Sequence, residues 1–382
     1  MIMNIFIIYI VYKLGINLKQ FMKFMKISLW FICGSIVLCN LFKLGYRTYD
    51  FNVLNYNIFD WFNNNYDYRE ISGKGYFHLA NQIVAIVLLY FPLLLNEIKE
   101  KFKLNDIILS LFVFLSMLII GNRLSSVGPL IILVISFLLY LFLIIIKKEI
   151  FKVKYFLYIL ISMIIYNVLL FNSPLLNREN YYNHLKNNNE ILTNINEEII
   201  TNNKTDIEKT FNEKKVNLNF PLKYYPYEKD KEFWDYMLTK NTGLLIDSRY
   251  LEISISQRLK DLNDNILDDY LGIGYSRIIN VVNIERDYTM QYYSIGIIGI
   301  VLLLSVYFIT YIYSLTKILI NLEAKFNYKN LMLCMGVGIF LVAAYYSGNL
   351  LNAISAIIPL SFVLAILLNE VRLKKSIDKK IL

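Results

Sequence analysis

Three clusters in this chain combine arginine with carboxylates or small polar residues, the side-chain types needed to hold a phosphate and to move a proton. The first is the polar turn Gly121-Asn122-Arg123-Leu124-Ser125-Ser126 between two apolar runs, where Arg123 is the only charge between Asp106 and Lys147. A cation there must snorkel to an interface or meet an anion, and a guanidinium fork matches phosphate oxygens. An arginine anchoring the helix ends at the interface is the plainer alternative. The second is Asp247-Ser248-Arg249-Tyr250, a helix start in which Asp247 or Ser248 would be the N-cap, with Arg258 and Lys260 further along. Helix N-termini favour anions, so Arg249 could meet a phosphate there. A surface salt bridge to Glu252 or Asp247 competes with that reading.

The third cluster runs Asp269-Tyr270-Leu271-Gly272-Ile273-Gly274-Tyr275-Ser276, then Ile284-Glu285-Arg286-Asp287-Tyr288, then Tyr293-Ser294-Ile295-Gly296-Ile297-Ile298-Gly299. Its glycines at 272 and 274 lack the later glycine and the strand–helix setting of a dinucleotide site. They let the backbone turn just before it returns to the membrane. Glu285 and Asp287, just outside a span, are either solvated charges or proton acceptors. His78 and Asn81, beside Tyr76 and Gln82, read as hydrogen-bonded structural residues. His78 and His184 are the only histidines, which excludes a histidine-built metal site, and no cofactor is expected. Cys33, Cys39 and Cys334 lie in apolar runs as small hydrophobes.

The elements that must position these clusters are membrane helices. Of 382 residues, 57% are hydrophobic and 18% charged, with mean hydropathy +0.45. Soluble domains run about 45–50% apolar and about 25% charged. Runs of spanning length centre on 2–17, 27–42, 77–96, 106–121, 126–146, 154–172, 291–315, 330–347 and 349–368. The expected fold is an all-α polytopic integral membrane protein with about nine transmembrane helices and one large extracytoplasmic loop. No cleavable signal peptide is expected, since the first run lacks a basic flank before it. The net charge of +9 sits mainly in lysines between spans, which argues against nucleic acid as a partner. Pro92, Pro129 and Pro359 fall inside spans, where they are expected to kink the helices.

Lysines collect in alternate connections: Lys13 to Lys26, Lys99 to Lys103, Lys147 to Lys154, Lys317 to Lys329, and the tail with Arg372, Lys374, Lys375, Lys379 and Lys380. Nine spans put all of them on one side, and short Lys-rich loops mark the cytoplasm. The expected organisation is 1–172, N-terminal helices with an outer loop near 43–76; 173–290, the large extracytoplasmic segment; and 291–382, C-terminal helices with a cytoplasmic tail. Within the large segment, 180–215 is polar and aperiodic, and Phe220 to Leu238 gains enough apolar mass to pack. Ser248–Leu267 spaces Leu251, Ile255, Leu259, Leu262 and Ile266 as one face of an amphipathic helix.

The order of these segments resembles the O-antigen ligase and Wzy-type polymerase superfamily. The resemblance rests on Gly75-Tyr76-Phe77-His78-Leu79-Ala80-Asn81-Gln82 opening a span, the Asn122-Arg123 turn, Ser248-Arg249, Leu271 to Ser276, and Ile284 to Tyr288 before a final long span. Members of that superfamily carry more spans, and its ligases place a histidine late in the outer loop. This chain has Glu285 and Asp287 there, which leans towards polymerase. The resemblance implies a metal-independent glycosyltransferase of the plasma membrane, with polyprenyl-diphosphate-linked oligosaccharides as donor and acceptor. The lipid bilayer is its setting, and a flippase and a chain-length regulator are further candidate partners. Arg123 and Arg249 would hold the diphosphate, with Arg258 and Arg286 as second choices. Glu285 or Asp287 would receive the acceptor proton. A ligase acting on a terminal acceptor is the nearest alternative, and a flippase of lipid-linked sugars the alternative of another class.

The lysine pattern makes a direct prediction. In a background lacking Cys33, Cys39 and Cys334, a membrane-impermeant maleimide should label Asn202→Cys in intact cells or spheroplasts and leave Ser376→Cys unlabelled until lysis. Labelling of Ser376→Cys from outside would invert the topology.

Overall fold

Backbone amides in hydrocarbon must be paired within the chain, so an apolar run of spanning length has little choice but helix. In the computed structural model each of the nine expected runs coincides with a helix. They are α1 (Ile2–Leu14), α2 (Leu18–Leu41), α4 (Ala80–Lys101), α5 (Leu104–Ile120), α6 (Arg123–Lys147), α7 (Val153–Leu170), α12 (Asp287–Ile320), α13 (Tyr328–Tyr346) and α14 (Ile354–Arg372). Among the described residues seven are long and apolar enough to cross a membrane, and the apolar helices Ile5–Leu14 and Leu104–Ile120 are shorter. A short α3 (Tyr68–Ile71) lies in the 43–76 segment, and α8 (Lys231–Leu238), α9 (Ser248–Asn263), α10 (Leu267–Leu271) and α11 (Tyr275–Ile279) lie in the long segment before α12. The structure describes residues 2–15, 18–62, 67–180, 183, 225–240, 248–279, 281 and 284–372. His184, Asp247, most of 180–215 and the tail lysines beyond Arg372 lie outside the described residues.

The chain divides into two compact units, one of residues 1–178, 305–344 and 349–382, the other of 179–304 and 345–348. In the first, α1 packs on α14, α2 on α5, and α4 on α5, α6 and α14. Helix α4 is the centre, with an unbroken buried run from Val84 to Asn96. Helix α13 approaches it so closely that a Cβ at Gly336 would lie 2.5 Å from the Leu89 carbonyl oxygen. Pro92, Pro129 and Pro359 all sit inside helices, and Gly296 of α12 takes a non-helical φ of 64° and ψ of −175°.

One end of this unit is knitted by the lysine-rich connections. Lys26 Nζ lies 2.8 Å from Asp106 Oδ1 and 3.2 Å from Glu97 Oε2, tying α2 to α4 and α5. Lys99 pairs with Glu149 at 2.6 Å and lies 4.4 Å from the Tyr328 ring centroid. Lys147 donates to the Glu323 carbonyl at 3.2 Å, Lys329 pairs with Glu370 at 2.5 Å, and the Arg372 guanidinium sits 5.0 Å from the Tyr12 ring centroid. Each of the five basic connections thus contributes a contact here.

The opposite end is built from 43–76. Strand β1 (Tyr46–Arg47) pairs antiparallel with β2 (Gly73–Gly75). Thr48 then donates through Oγ1 to the Ile120 carbonyl at 2.8 Å, and the Tyr49 hydroxyl donates to the Gly121 carbonyl at 3.3 Å.

The second unit has its own apolar core, in which Trp234, Tyr225, Phe233 and Met237 meet Leu251 and Ile255 of α9, with Ile273, Ile278, Ile284 and Met290. The expected long amphipathic helix is shorter than its spacing suggested. It ends at Asn263, and Asp264 takes a left-handed φ of 44°; Leu262 and Ile266 are exposed, while Leu251, Ile255 and Leu259 face the core.

Asp106 is 1% exposed and lies 2.8 Å from Lys26. Lys26→Met should destabilise the chain by about 3–5 kcal/mol, because removing one partner leaves a buried charge uncompensated. Adding Asp106→Leu should recover part of that loss in thermal melts of the detergent-solubilised protein. An unchanged melt for Lys26→Met would show the pair to be dispensable.

Candidate functional site

In the second unit the Leu271 to Ser276 motif meets the start of α12 backbone to backbone. A helix interrupted at Gly296 loses part of its own hydrogen-bond ladder. The Ile273 N–H donates to the Tyr293 carbonyl at 2.9 Å, and the Gly274 N–H donates to the Ser294 carbonyl at 3.2 Å. Glycine is required on both strands of this crossing. A Cβ at Gly272 would overlap the Ser294–Ile295 peptide, and one at Gly296 would overlap the Tyr270–Leu271 peptide. The two glycine motifs are therefore complementary halves of one junction, which neither shows alone.

That junction fixes the segment leading into α12. Glu285 precedes the helix, and Asp287 is its first residue, fully buried. Arg286 is half-buried, and its carbonyl accepts the Met290 N–H at 2.8 Å. The backbone of 285 is closely covered, since a Cβ at Gly348 would overlap the Glu285 carbonyl. From α9, Arg249 reaches Glu285: its Nε and Nη2 lie 3.2 and 3.1 Å from the same Oε2. One helical turn on, Glu252 Oε2 accepts the Glu285 N–H at 3.3 Å. Arg249 and Glu252 share a helix face, as i and i+3 residues do. Arg249 side-chain exposure is 30% and that of Glu285 is 43%, so the pair is reachable from solvent.

Arg258 is placed differently. Its Nε and Nη2 grip Asp230 at 2.7 and 3.1 Å, and Nη2 also meets Glu232 at 2.9 Å. Asp230 in turn caps α8 by accepting the Phe233 N–H at 3.1 Å, and accepts the Tyr225 hydroxyl at 2.6 Å. Arg258 thus clamps α9 to α8, and an anionic ligand would have to displace two carboxylates to use it. Lys260 is engaged likewise by Asp269, which accepts the Tyr292 hydroxyl at 2.6 Å. The value of Asp230 was not visible in sequence, where the position reads as an ordinary loop acid. A helix start two residues ahead of Phe233-Trp234 was the available signal.

Arg123 belongs to the first unit, exposed as the first residue of α6. Its turn is rigidly built: Gly121 closes α5 at φ 67°, and Asn122 caps α6 in a reciprocal capping box with Ser125. The Asn122 side chain also donates to Asn81 Oδ1 at 3.2 Å, which joins the Gly75 to Gln82 motif to this turn. Two cations that sequence reading passed over share this end of the unit. Arg178 donates to the Tyr49 hydroxyl at 3.0 Å, and Lys74, only 5% exposed, sits 4.4 Å from the Phe51 ring centroid. Burial lowers the Lys74 amine below its ordinary value, with Asp50 opposing.

A family model described as "O-antigen ligase like membrane protein" matches residues 1–375. No curated protein and no solved structure matches the chain.

The Asp230 clamp has a testable pH signature. Burial alone would raise this carboxyl, but hydrogen bonds from Arg258, Tyr225 and the Phe233 N–H hold it below its usual range. A depressed folded value means the stabilisation is present above the unfolded carboxyl value of about 4 and is lost as pH falls through the folded one. Hydrogen exchange of residues 225–240, expressed relative to the intrinsic amide rate at each pH, should therefore accelerate on acidification below about pH 4 in the native chain. In Asp230→Asn it should be faster by about 10- to 100-fold at pH 7, equivalent to about 1.5–3 kcal/mol, with little further acid dependence. Equal exchange in both proteins would remove the clamp from the account.

Proposed function

The chain belongs to the family of O-antigen ligase-like membrane proteins, and we propose that it is a surface-polysaccharide polymerase, joining one polyprenyl-diphosphate-linked repeat unit to another. Membership makes it a multi-pass membrane enzyme of polysaccharide assembly that performs a glycosyl-transfer reaction. The polymerase reading puts the second unit outside the plasma membrane and the lysine-rich end of the first in the cytoplasm.

The observation that carries the chemistry is the Arg249–Glu285 pair. An acceptor hydroxyl oxygen attacks the anomeric carbon of the donor, the carbon–oxygen bond to the lipid diphosphate breaks, and the diphosphate leaves with the bonding electrons. Charge grows on that leaving group, so a guanidinium beside it stabilises the transition state more than the ground state. Arg249 rests on a carboxylate, and a phosphate oxygen offers the same fork a partner of the same kind. Exchange of Glu285 for diphosphate would supply the cation to the leaving group. It would also free Glu285 to take the acceptor proton. Arg123, in the first unit, is the other candidate that the sequence offers for the diphosphate, with Arg286 in reserve. Arg258 keeps its structural clamp, and Asp287, fully buried, stands behind Glu285 as proton acceptor. The reading needs neither metal nor nucleotide, because the donor carries the stored bond energy.

Deletion of this chain should reduce the surface glycan to single repeat units on their carrier, seen as loss of the gel ladder and confirmed by mass spectrometry. Arg249→Ala and Arg123→Ala, inserted at normal levels, should lower polymer by at least about 100-fold, and Glu285→Gln by about 10²–10⁴-fold. Normal polymer from both arginine variants defeats the assignment. Full-length polymer that stays on the lipid carrier identifies a ligase, and repeat units held on the cytoplasmic face identify a transporter.

A further inference from the structure

We infer that the second unit carries a separate subsite for an acidic sugar residue, in a cavity roofed by the Tyr227–Lys229 turn and floored by α9 and the Ile273 to Val281 segment. The inference rests on the glycan-handling role proposed above. The cavity measures about 370 Å³ and is lined by Lys229, Leu259, Ile273, Ser276, Arg277 and Val281. Its volume is at the small end of the ~300–1,000 Å³ range of ligand sites, which suits a monosaccharide-sized group and not a polymer chain.

Three features select the ligand class. First, charge: among the described residues two cations line the cavity and no carboxylate does. Arg249, Arg258 and Lys260 in the same unit each meet a carboxylate. Lys229 instead lies 5.5 Å from the Tyr225 ring centroid, and Arg277 donates through Nη1 to the neutral Asn263 Oδ1 at 3.0 Å. Asn263 is itself held, donating to Asp268 Oδ2 at 2.7 Å, so Arg277 is oriented from behind by an amide. Second, the floor: Leu259, Ile273 and Val281 present apolar surface, which a bare phosphate cannot use and the C–H face of a pyranose can. Ser276 adds a hydroxyl able to donate or accept at a sugar hydroxyl. Third, rigidity: Ile273 is pinned by its N–H to the Tyr293 carbonyl, so the floor is built before a ligand arrives. A carboxylate-bearing pyranose satisfies all three features together.

The test uses the full chain in phosphatidylcholine nanodiscs and a glucuronate-containing tetrasaccharide, compared by calorimetry with the same tetrasaccharide after carboxyl reduction. The acidic form should bind at least about tenfold tighter than the reduced form. Lys229→Gln and Arg277→Gln should each remove about tenfold of that preference, the effect of one charge-assisted contact. Equal binding of the two sugars, unchanged preference in both variants, or displacement by an equal concentration of inorganic phosphate would each overturn the subsite. Failure of the polymerase reading looks different. Normal polymer in cells carrying Arg249→Ala and in cells carrying Arg123→Ala defeats that reading and leaves the sugar preference standing, whereas lost polymer with no sugar preference removes the subsite alone.

Discussion

The structure turns on the need to pair backbone amides where a helix is broken. Gly296 interrupts α12, and the Ile273 and Gly274 N–H groups supply donors to the carbonyls of Tyr293 and Ser294 just before the break. Such a break is tolerated where other protein groups satisfy the freed ladder. Three parts of the second unit are referred to that junction. It fixes Ile273 in the apolar core, sets Glu285 at the head of α12, and holds the cavity floor in place. The close approach demands glycine at 272 and 296 at once, so two sequence motifs separated by more than twenty residues are one structural device.

Three physical states recur among the described cations. Lys26, Lys99 and Arg258 are committed to carboxylates with little exposure, and their charge serves to hold elements together. Arg249 is paired too, but with a half-exposed partner, a contact that an incoming anion can replace at small cost. Among the described residues Lys229 meets an aromatic ring and Arg277 an amide, which leaves their charge available at the surface. Identical residue types thus serve as scaffold, exchangeable ligand and open recognition group, according to what stands opposite them.

Much of the candidate site was legible before any geometry. Arg249 was singled out at a helix start and Glu285 at the mouth of a span, and these two face each other. Arg258 shows the limit of that reasoning. It lies on the same helix as Arg249 with an equally suitable side chain, but Asp230 and Glu232 stand opposite it, and an acid in a distant loop leaves no mark on the helix's own pattern. The helix itself read too long because its apolar spacing continues past Asp264, where the backbone turns left-handed. The break at Gly296 within α12 was not expected from the sequence, because that glycine answers to a neighbouring chain segment.

What the sequence determined by itself was the set of membrane helices and their lysine-rich connections. A span is a local property: about 20 apolar residues in hydrocarbon must pair their own amides, whatever else the chain does. The tertiary structure decided which charges meet. Lys26 with Asp106, Arg249 with Glu285 and Arg258 with Asp230 are contacts between residues 80, 36 and 28 positions apart. Coulomb attraction and hydrogen bonding act over a few ångströms in space and take no account of separation along the chain. Only folding, by bringing those positions together, assigns each charged side chain its partner and therefore its work.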